Sequence, residues 1–205
     1  MVYRDPDKFA MAYSVKQARA NFGAGKVSFA LGMENGAPVA GSLENLRHFY
    51  QRGIRYITLT HALANHISDS SYDEVRYWNG LSPFGFEVVE AMNKLGMIVD
   101  VSHLSDEAFA DVIKSSRAPV VATHSSARKF TPEFERNMND DMIKALAENG
   151  GLIMINFGSG FVTEKANKYD AVYFEAYASY AERNQLAESS PEMQAFEKTY
   201  REKQP

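Results

Sequence analysis

One glutamate and three histidines, which are residue types that bind metal ions, each stand at the end of a short apolar run. The four residues and the runs before them are Glu34 after 27–33, His61 after 54–60, His103 after 97–102 and His124 after 119–123. Such runs, flanked by Gly or Pro, are typical of buried strands. A lone His at such a position usually has a structural role. Placing three imidazoles at three strand ends costs free energy that packing alone does not offset. Because the chain has no cysteine, a set of His and carboxylate ligands favours Zn²⁺ or a similar borderline ion.

The apolar runs alternate with segments of helical periodicity, which predicts an α/β fold with parallel strands and right-handed crossovers. Strands are predicted over 27–34, 54–60, 97–102, 119–123 and 152–157, and helices over 5–21, 43–52, about 83–95, 105–115 and 140–149. Five βα units are visible, whereas a closed barrel has eight in about 250 residues. The pattern therefore predicts either an open sheet or a partial TIM-type (β/α) barrel, with the four residues on one rim. We predict a single domain over 1–205, in which 164–205 form a helical, Tyr-rich C-terminal segment whose tyrosines pack between helices.

The composition excludes several classes of protein. The chain has 205 residues, enough for one sizeable core, and its 45% hydrophobic and 23% charged residues are ordinary for a soluble globular protein. A net charge of −4 gives no basic field for nucleic acid or anionic lipid. No apolar run approaches 18 residues, so no membrane span is predicted, and the polar residues 1–7 predict no signal peptide. Localisation stays open.

Several other residues could support chemistry at such a rim. Arg136 lies in the irregular segment after the fourth strand, where its guanidinium could bind a substrate carboxylate; a surface salt bridge is the alternative. Asp100, inside a strand, is a better candidate than Asp106 to orient a metal ligand, and Asp106 is suited to helix capping. His66, in a polar loop, is left unassigned. His48 is expected on a solvated helix face.

Six long, ordered blocks of the sequence closely resemble the membrane (renal-type) dipeptidases, which are zinc metallopeptidases of the amidohydrolase-like barrel class. They are Tyr-Ile-Thr-Leu-Thr-His at 56–61, Asn-Gly-Leu-Ser-Pro-Phe-Gly at 79–85, Met-Asn-Lys-Leu-Gly-Met-Ile-Val-Asp-Val-Ser-His at 92–103, His-Ser-Ser-Ala at 124–127, Arg-Asn-Met-Asn-Asp-Asp-Met at 136–142 and Gly-Gly-Leu-Ile-Met-Ile-Asn-Phe at 150–157. The likeness runs from about residue 25 to 162. It implies a hydrolase that cuts dipeptides with a free C-terminal carboxylate.

The resemblance also implies a role for each candidate. Glu34 matches the carboxylate that bridges two zinc ions in the family, and His103 and His124 match the two histidines on the second zinc. His61 matches the histidine that contacts substrate and steadies the tetrahedral oxyanion. Arg136 matches the arginine that pairs with the substrate carboxylate. Two cations would lower the pKa of a bridging water towards neutrality and polarise the peptide carbonyl.

The sequence also departs from the family pattern. The family has an early His-X-Asp pair that completes the other zinc site, but no His precedes His48 here, and no Ser-Asp-Phe-like motif follows Phe157. We therefore expect an incomplete member with strands three to seven of eight, at most one zinc ion and impaired activity. Open barrel edges predict self-association, as a homo-oligomer. The alternative is a catalytically inactive half-barrel that acts as a structural or interaction module. A third possibility, a different amidohydrolase such as a deaminase or lactonase, has no support in the six sequence blocks quoted above.

Overall fold

Five parallel strands form the main sheet in the computed structural model, which describes residues 1–202. There are seven strands in these residues, and the first two form a separate small sheet. They are β1 (Phe9–Met11), β2 (Val27–Phe29), β3 (Leu31–Glu34), β4 (Ile54–Thr58), β5 (Ile98–Asp100), β6 (Val121–Ser125) and β7 (Leu152–Ile155). The main sheet has the order β3-β4-β5-β6-β7, and every pair in it is parallel. This confirms the predicted α/β class. β3 and β7 are the outer strands, and no closed barrel is present within residues 1–202.

Helices connect the strands of the main sheet and pack side by side against it. The helices are α1 (Val15–Gly23), α2 (Leu43–Gln51), α3 (Pro83–Leu95), α4 (Asp106–Ser115), α5 (Asp140–Glu148), α6 (Ser159–Val162), α7 (Glu164–Asn184) and α8 (Pro191–Glu202). The hydroxyls of Ser42 and Ser105 accept hydrogen bonds from backbone N–H groups in the first turns of α2 and α4 and cap these helices. In the core, Leu46 of α2 and Met92 of α3 are fully buried in one cluster with Ile57 of β4.

The N-terminal part of the chain differs from the sequence prediction. The predicted helix over 5–21 is wrong in its first half, because β1 pairs in parallel with β2, with Phe9 opposite Val27. The helix starts only at Val15, where the Ser14 hydroxyl accepts from the Gln17 N–H. The predicted single strand over 27–34 is also divided. Its first part, β2, pairs with β1, and its second part, β3, joins the main sheet beside β4.

The loop over 62–82 is ordered around one buried carboxylate. Asp69 is fully buried and accepts hydrogen bonds from the backbone N–H groups of Tyr77, Trp78 and Gly80. An isolated antiparallel bridge between Ser68 and Leu81 closes the same loop. These bonds satisfy backbone donors that an irregular segment would otherwise leave unpaired, so the loop keeps one shape above the sheet.

Helix α3 packs so closely on this loop that Gly85 leaves no room for a side chain. A Cβ at Gly85 would lie 2.2 Å from the Ile67 carbonyl oxygen. We expect Gly85→Ala to lower the free energy of unfolding by about 1–3 kcal/mol, since the backbone must shift. Urea unfolding measures this. The matched control is Gly23→Ala in α1, where nothing lies within 4 Å and the change should be neutral or stabilising by less than about 1 kcal/mol. Equal effects of the two substitutions would contradict the prediction.

The C-terminal helices α7 and α8 pack on each other through aromatic side chains. Tyr177 lies edge-on to Phe196, with ring centroids 6.1 Å apart, and Phe196 stacks on Tyr180 at 4.5 Å. The tyrosines therefore pack between helices, as predicted, although residues 203–205 of the predicted segment lie outside the described part of the chain. None of the helices within residues 1–202 combines the length and apolar character that a bilayer crossing requires.

Candidate metal centre

Four neighbouring strands bring the predicted metal-binding side chains together at the carboxyl edge of the main sheet. Glu34 ends β3, His61 lies three residues after β4, His103 three residues after β5, and His124 within β6. The Glu34 Oε1 atom lies 2.9 Å from His124 Nε2, 3.2 Å from His103 Nε2 and 3.7 Å from His61 Nε2. The Nε2 atoms of His103 and His124 are 2.9 Å apart. The predicted convergence on one rim is therefore present.

The spacing of these atoms fits a single divalent cation. Ligand atoms bound tetrahedrally to zinc at 2.0–2.1 Å lie about 3.3 Å from each other, and the distances from Glu34 Oε1 fall on both sides of this value. Two neutral imidazole nitrogens at 2.9 Å repel each other unless a proton or a cation lies between them. Imidazole nitrogens and a carboxylate oxygen are ligands that Zn²⁺ accepts, so the residues present fit such an ion.

One side of the cluster is buried in the protein, and the other side is exposed to solvent. The side chain of His103 is 7% exposed, whereas those of Glu34 and His61 are 51% and 50% exposed. Burial, together with the neighbouring guanidinium of Arg136 and the imidazoles of His124 and His61, lowers the pKa of His103 to about 2. His103 is therefore neutral at pH 7 and has no proton to lose when it binds a cation. A small molecule can approach from the side of Glu34 and His61.

The backbone of His103 adopts an uncommon conformation. Its φ is +70°, in the left-handed region that a residue with a Cβ enters at a cost. The backbone here is held from two sides, since the His103 carbonyl accepts from Ser71 N–H and lies 3.4 Å from Thr60 Oγ1. Strain of this kind clusters at sites of function, where neighbouring structure holds a side chain in place. Here it places the imidazole of His103 under Glu34.

Asp100 ties three strands together directly below the histidines, which places it where the sequence predicted a ligand-orienting residue. Its Oδ1 accepts from the backbone N–H groups of Ser102 and Thr123, each at 3.0 Å. Its Oδ2 accepts from the hydroxyls of Thr58 at 2.6 Å and Thr123 at 2.5 Å. The side chain is completely buried. Asp100 thus holds together the carboxyl ends of β4, β5 and β6, at or after which the three histidines lie.

Arg136 is a buried cation without an anionic partner within the described part of the chain. It is 3% exposed, and it donates from Nη1 to Ser125 Oγ at 2.7 Å and from Nη2 to the His124 carbonyl oxygen at 2.5 Å. Its Nε is buried without a hydrogen-bond partner. Burial lowers the pKa of Arg136, but a guanidinium stays charged at neutral pH. A surface salt bridge, the alternative considered from sequence, is therefore wrong.

Three aromatic side chains that the sequence analysis did not single out line the space between the histidines and Arg136. Tyr72 packs on His103 and on Phe134, with ring centroids at 5.8 and 5.9 Å, and Phe134 packs on Phe161 at 5.6 Å. Phe161 also lies 5.6 Å from the guanidinium of Arg136. Their positions in the segments that follow strands were the only signal, Tyr72 and Phe134 in loops and Phe161 in the short helix α6, because their spacing follows no helical or strand period.

The remaining candidates lie outside the cluster. His66 stacks on Phe84 at 5.6 Å, and burial lowers its pKa. Asp106, in the first turn of α4, forms a bidentate ion pair with Arg128 at 2.6 and 2.7 Å. His48 is exposed on α2, as predicted. These three residues therefore have local structural contacts rather than contacts with Glu34.

Comparison with known proteins agrees with this geometry. The family model described as membrane dipeptidase (peptidase family M19) matches residues 1–192. Dipeptidase tcpJ of Claviceps purpurea (strain 20.1) is 40% identical over 151 residues, which are 74% of this chain and 35% of that protein. The uncharacterized dipeptidase C965.12 of Schizosaccharomyces pombe is 43% identical over 140 residues, 67% of this chain and 33% of that protein. The chain thus spans about a third of the length of these relatives.

Solved structures show the same fold. The probable dipeptidase PvdM from Pseudomonas aeruginosa superposes with a TM-score of 0.76 and 29% identity, covering 91% of this chain and 47% of that one. A metallo peptidase from Rhodobacter sphaeroides, liganded with a phosphinate mimic of the dipeptide L-Ala-D-Ala, superposes with a TM-score of 0.71 and 28% identity, covering 77% and 46%. The family model, the curated relatives and these structures agree, and the chain belongs to the membrane dipeptidase family, peptidase family M19.

Proposed function

We propose that the site is that of a zinc-dependent dipeptidase, in which Glu34, His103 and His124 hold Zn²⁺. The observation that carries the proposal is the convergence of these three side chains, with Nε2 atoms 2.9 and 3.2 Å from one carboxylate oxygen. Zinc bound there would supply a Lewis acid and a water molecule of lowered pKa. The Rhodobacter sphaeroides relative supports the substrate class, since its ligand mimics a dipeptide.

His61 and Arg136 are proposed to bind and orient the dipeptide. His61 is half exposed at the open side of the cluster, 3.7 Å from Glu34, so its ring can donate a hydrogen bond to an oxygen atom that gains charge during the reaction. The buried guanidinium of Arg136 has no carboxylate partner among residues 1–202, and a free substrate carboxylate would satisfy it. Tyr72, Phe134 and Phe161 lie between the two and would exclude water from the bound dipeptide.

We further propose that the 205 residues by themselves bind one zinc ion and hydrolyse dipeptides weakly. Within residues 1–202, Glu34 Oε1 and the Nε2 atoms of His103 and His124 lie within 3.2 Å of one another, and His61 forms a second, overlapping group with Glu34 and His103 in which the ligand atoms lie within 4.8 Å. A second ion on Glu34 would need further His or Asp ligands, such as a His-X-Asp pair. No such pair precedes Glu34 in the sequence.

Self-association through the outer strands is also proposed, with residues 1–205 folding as one domain. Among residues 1–202, β3 and β7 each have one edge without a strand partner. Leu152, Met154 and Ile155 of β7 are about half exposed, at 50%, 50% and 47%. Unpaired edges with exposed apolar side chains favour pairing with another chain, and a homo-oligomer is the expected product.

A zinc titration with a parallel assay of hydrolysis tests the proposed function. We expect about one zinc ion per chain, and slow cleavage of L-Ala-D-Ala that stops when a chelator removes the ion. His48→Ala on the exposed surface of α2 is the control and should change neither result. Absence of zinc binding would favour the inactive structural module. Cleavage that survives both chelation and His103→Asn would contradict the assigned site.

A further inference from the structure

A chain of hydrogen bonds connects the buried Asp100 to the ring of His124 through one hydroxyl group. Thr123 Oγ1 lies 2.5 Å from Asp100 Oδ2 and 2.7 Å from His124 Nδ1. On the other side of the same ring, His124 Nε2 lies 2.9 Å from Glu34 Oε1. The backbone of His124 is also held, because its N–H donates to Ser102 Oγ at 3.1 Å.

The number of protons in this chain decides which ring nitrogen carries hydrogen. Thr123 Oγ1 has one proton but two hydrogen-bond contacts, and the Asp100 carboxyl group is an acceptor on both oxygens, since two backbone N–H groups face Oδ1 and two hydroxyls face Oδ2. The hydroxyl proton must therefore point to Asp100, and His124 Nδ1 must donate to Thr123 Oγ1. Neutral imidazole carries one proton, so Nε2 retains its lone pair, and a cation bound between Nε2, Glu34 Oε1 and His103 Nε2 would relieve the repulsion among these closely spaced atoms.

We propose that Asp100 and Thr123 are positioning residues that hold His124 in the Nδ1–H tautomer, with Nε2 ready to bind the metal ion. The importance of this tautomer for metal binding rests on the function proposed above, whereas the tautomer itself does not. The neighbouring His103 has no equivalent partner, since its Nδ1 is buried without a hydrogen bond among the described residues. His124 is therefore the ligand whose protonation pattern the surrounding side chains determine.

Asp100→Asn reverses the direction of the hydrogen bonds without changing the shape of the side chain. The backbone N–H groups of Ser102 and Thr123 both donate to the Oδ1 position, so the amide oxygen of the new residue must occupy it. The amide nitrogen then faces the hydroxyls of Thr58 and Thr123 and donates to them. The Thr123 hydroxyl proton turns to His124 Nδ1, and the ring proton moves to Nε2.

The direct test is the tautomer of His124, measured by two-dimensional ¹H–¹⁵N NMR of the imidazole nitrogens in the metal-free protein above pH 8, where free imidazole is neutral. We expect the Nδ1–H form in the natural protein and in Thr123→Ser, which keeps the hydroxyl. We expect Nε2–H in Asp100→Asn and a mixture in Thr123→Val. An Nε2–H form of His124 in the natural protein would overturn the proposal.

Zinc affinity, measured by competition with a chromogenic chelator, gives the second readout. Asp100→Asn and Thr123→Val should each weaken binding by about 10- to 100-fold, the usual effect of losing a partner that orients a ligand. Thr123→Ser should bind zinc like the natural protein. If Asp100→Asn fails to fold, the Thr123→Val and Thr123→Ser pair decides, and equal affinity and equal tautomers in these two would refute the positioning role. If the natural protein binds no zinc, the proposed function fails, while the NMR measurement still tests the tautomer.

Discussion

Glu34→Gln is expected to weaken zinc binding by more than about 100-fold, the upper end of the effect of residues that only orient ligands. Glu34 Oε1 lies within 3.7 Å of all three histidine Nε2 atoms, and the amide would remove the negative charge that offsets a bound cation. Because the Glu34 side chain is half exposed, its replacement leaves the core intact. Competition with a chromogenic chelator measures the change.

Glu44→Gln is the matched control for this experiment. Glu44 is exposed in the first turn of α2, and it contacts none of the three histidines. The substitution should leave zinc affinity unchanged and cost at most about 1 kcal/mol of stability through the helix dipole. If Glu34→Gln bound zinc as tightly as Glu44→Gln does, the carboxylate would not be a metal ligand.

Arg136→Met is expected to weaken the binding of a phosphinate dipeptide mimic to the zinc-loaded protein by roughly 30- to 5,000-fold. This range corresponds to the 2–5 kcal/mol that is lost when one partner of a buried, hydrogen-bonded charge pair is removed. Arg136 is 3% exposed, so the bound carboxylate would meet a charge that water does not screen. Isothermal titration calorimetry measures the affinity without requiring turnover.

A ligand with a C-terminal amide provides the control for Arg136. It has no carboxylate, so Arg136→Met and the natural protein should bind it with similar affinity. Urea unfolding checks that the substitution, which also removes the bonds to Ser125 Oγ and the His124 carbonyl, leaves the fold stable. A loss of affinity that is equal for the acid and the amide would show that Arg136 only supports the loop.

The sequence was sufficient to predict the α/β class, the family and the rim on which the four side chains meet. Buried parallel strands produce near-continuous apolar runs, and the polar residue that ends each run is then conspicuous, as Glu34 and His103 are. The starts of α2 and α4 lie within one residue of the predicted limits, because the hydroxyls of Ser42 and Ser105 cap these helices. The individual roles of Glu34, His61, His103, His124 and Arg136 remain predictions.

The features that the sequence did not predict depend on contacts between distant residues. β1 has only three residues and exists because it pairs with β2, so helical periodicity over 5–21 was misleading. The position of Tyr72 over His103 depends on the hydrogen bonds that Asp69 makes within the 62–82 loop. The hydroxyl of Thr123 reaches Asp100 only when β5 and β6 lie side by side.

If Glu34, His103 and His124 hold a metal ion, their positions on or after three different strands would couple metal availability to the folding equilibrium. Glu34 belongs to β3, an outer strand that has a strand partner on one side only, whereas His124 belongs to β6, three strands away. A ligand that binds only the folded state adds about 2.7 kcal/mol of stability at 100 times its Kd. Zinc held by these residues would therefore act as a cross-link across the sheet, and the outer strand would open more often as the free metal concentration falls.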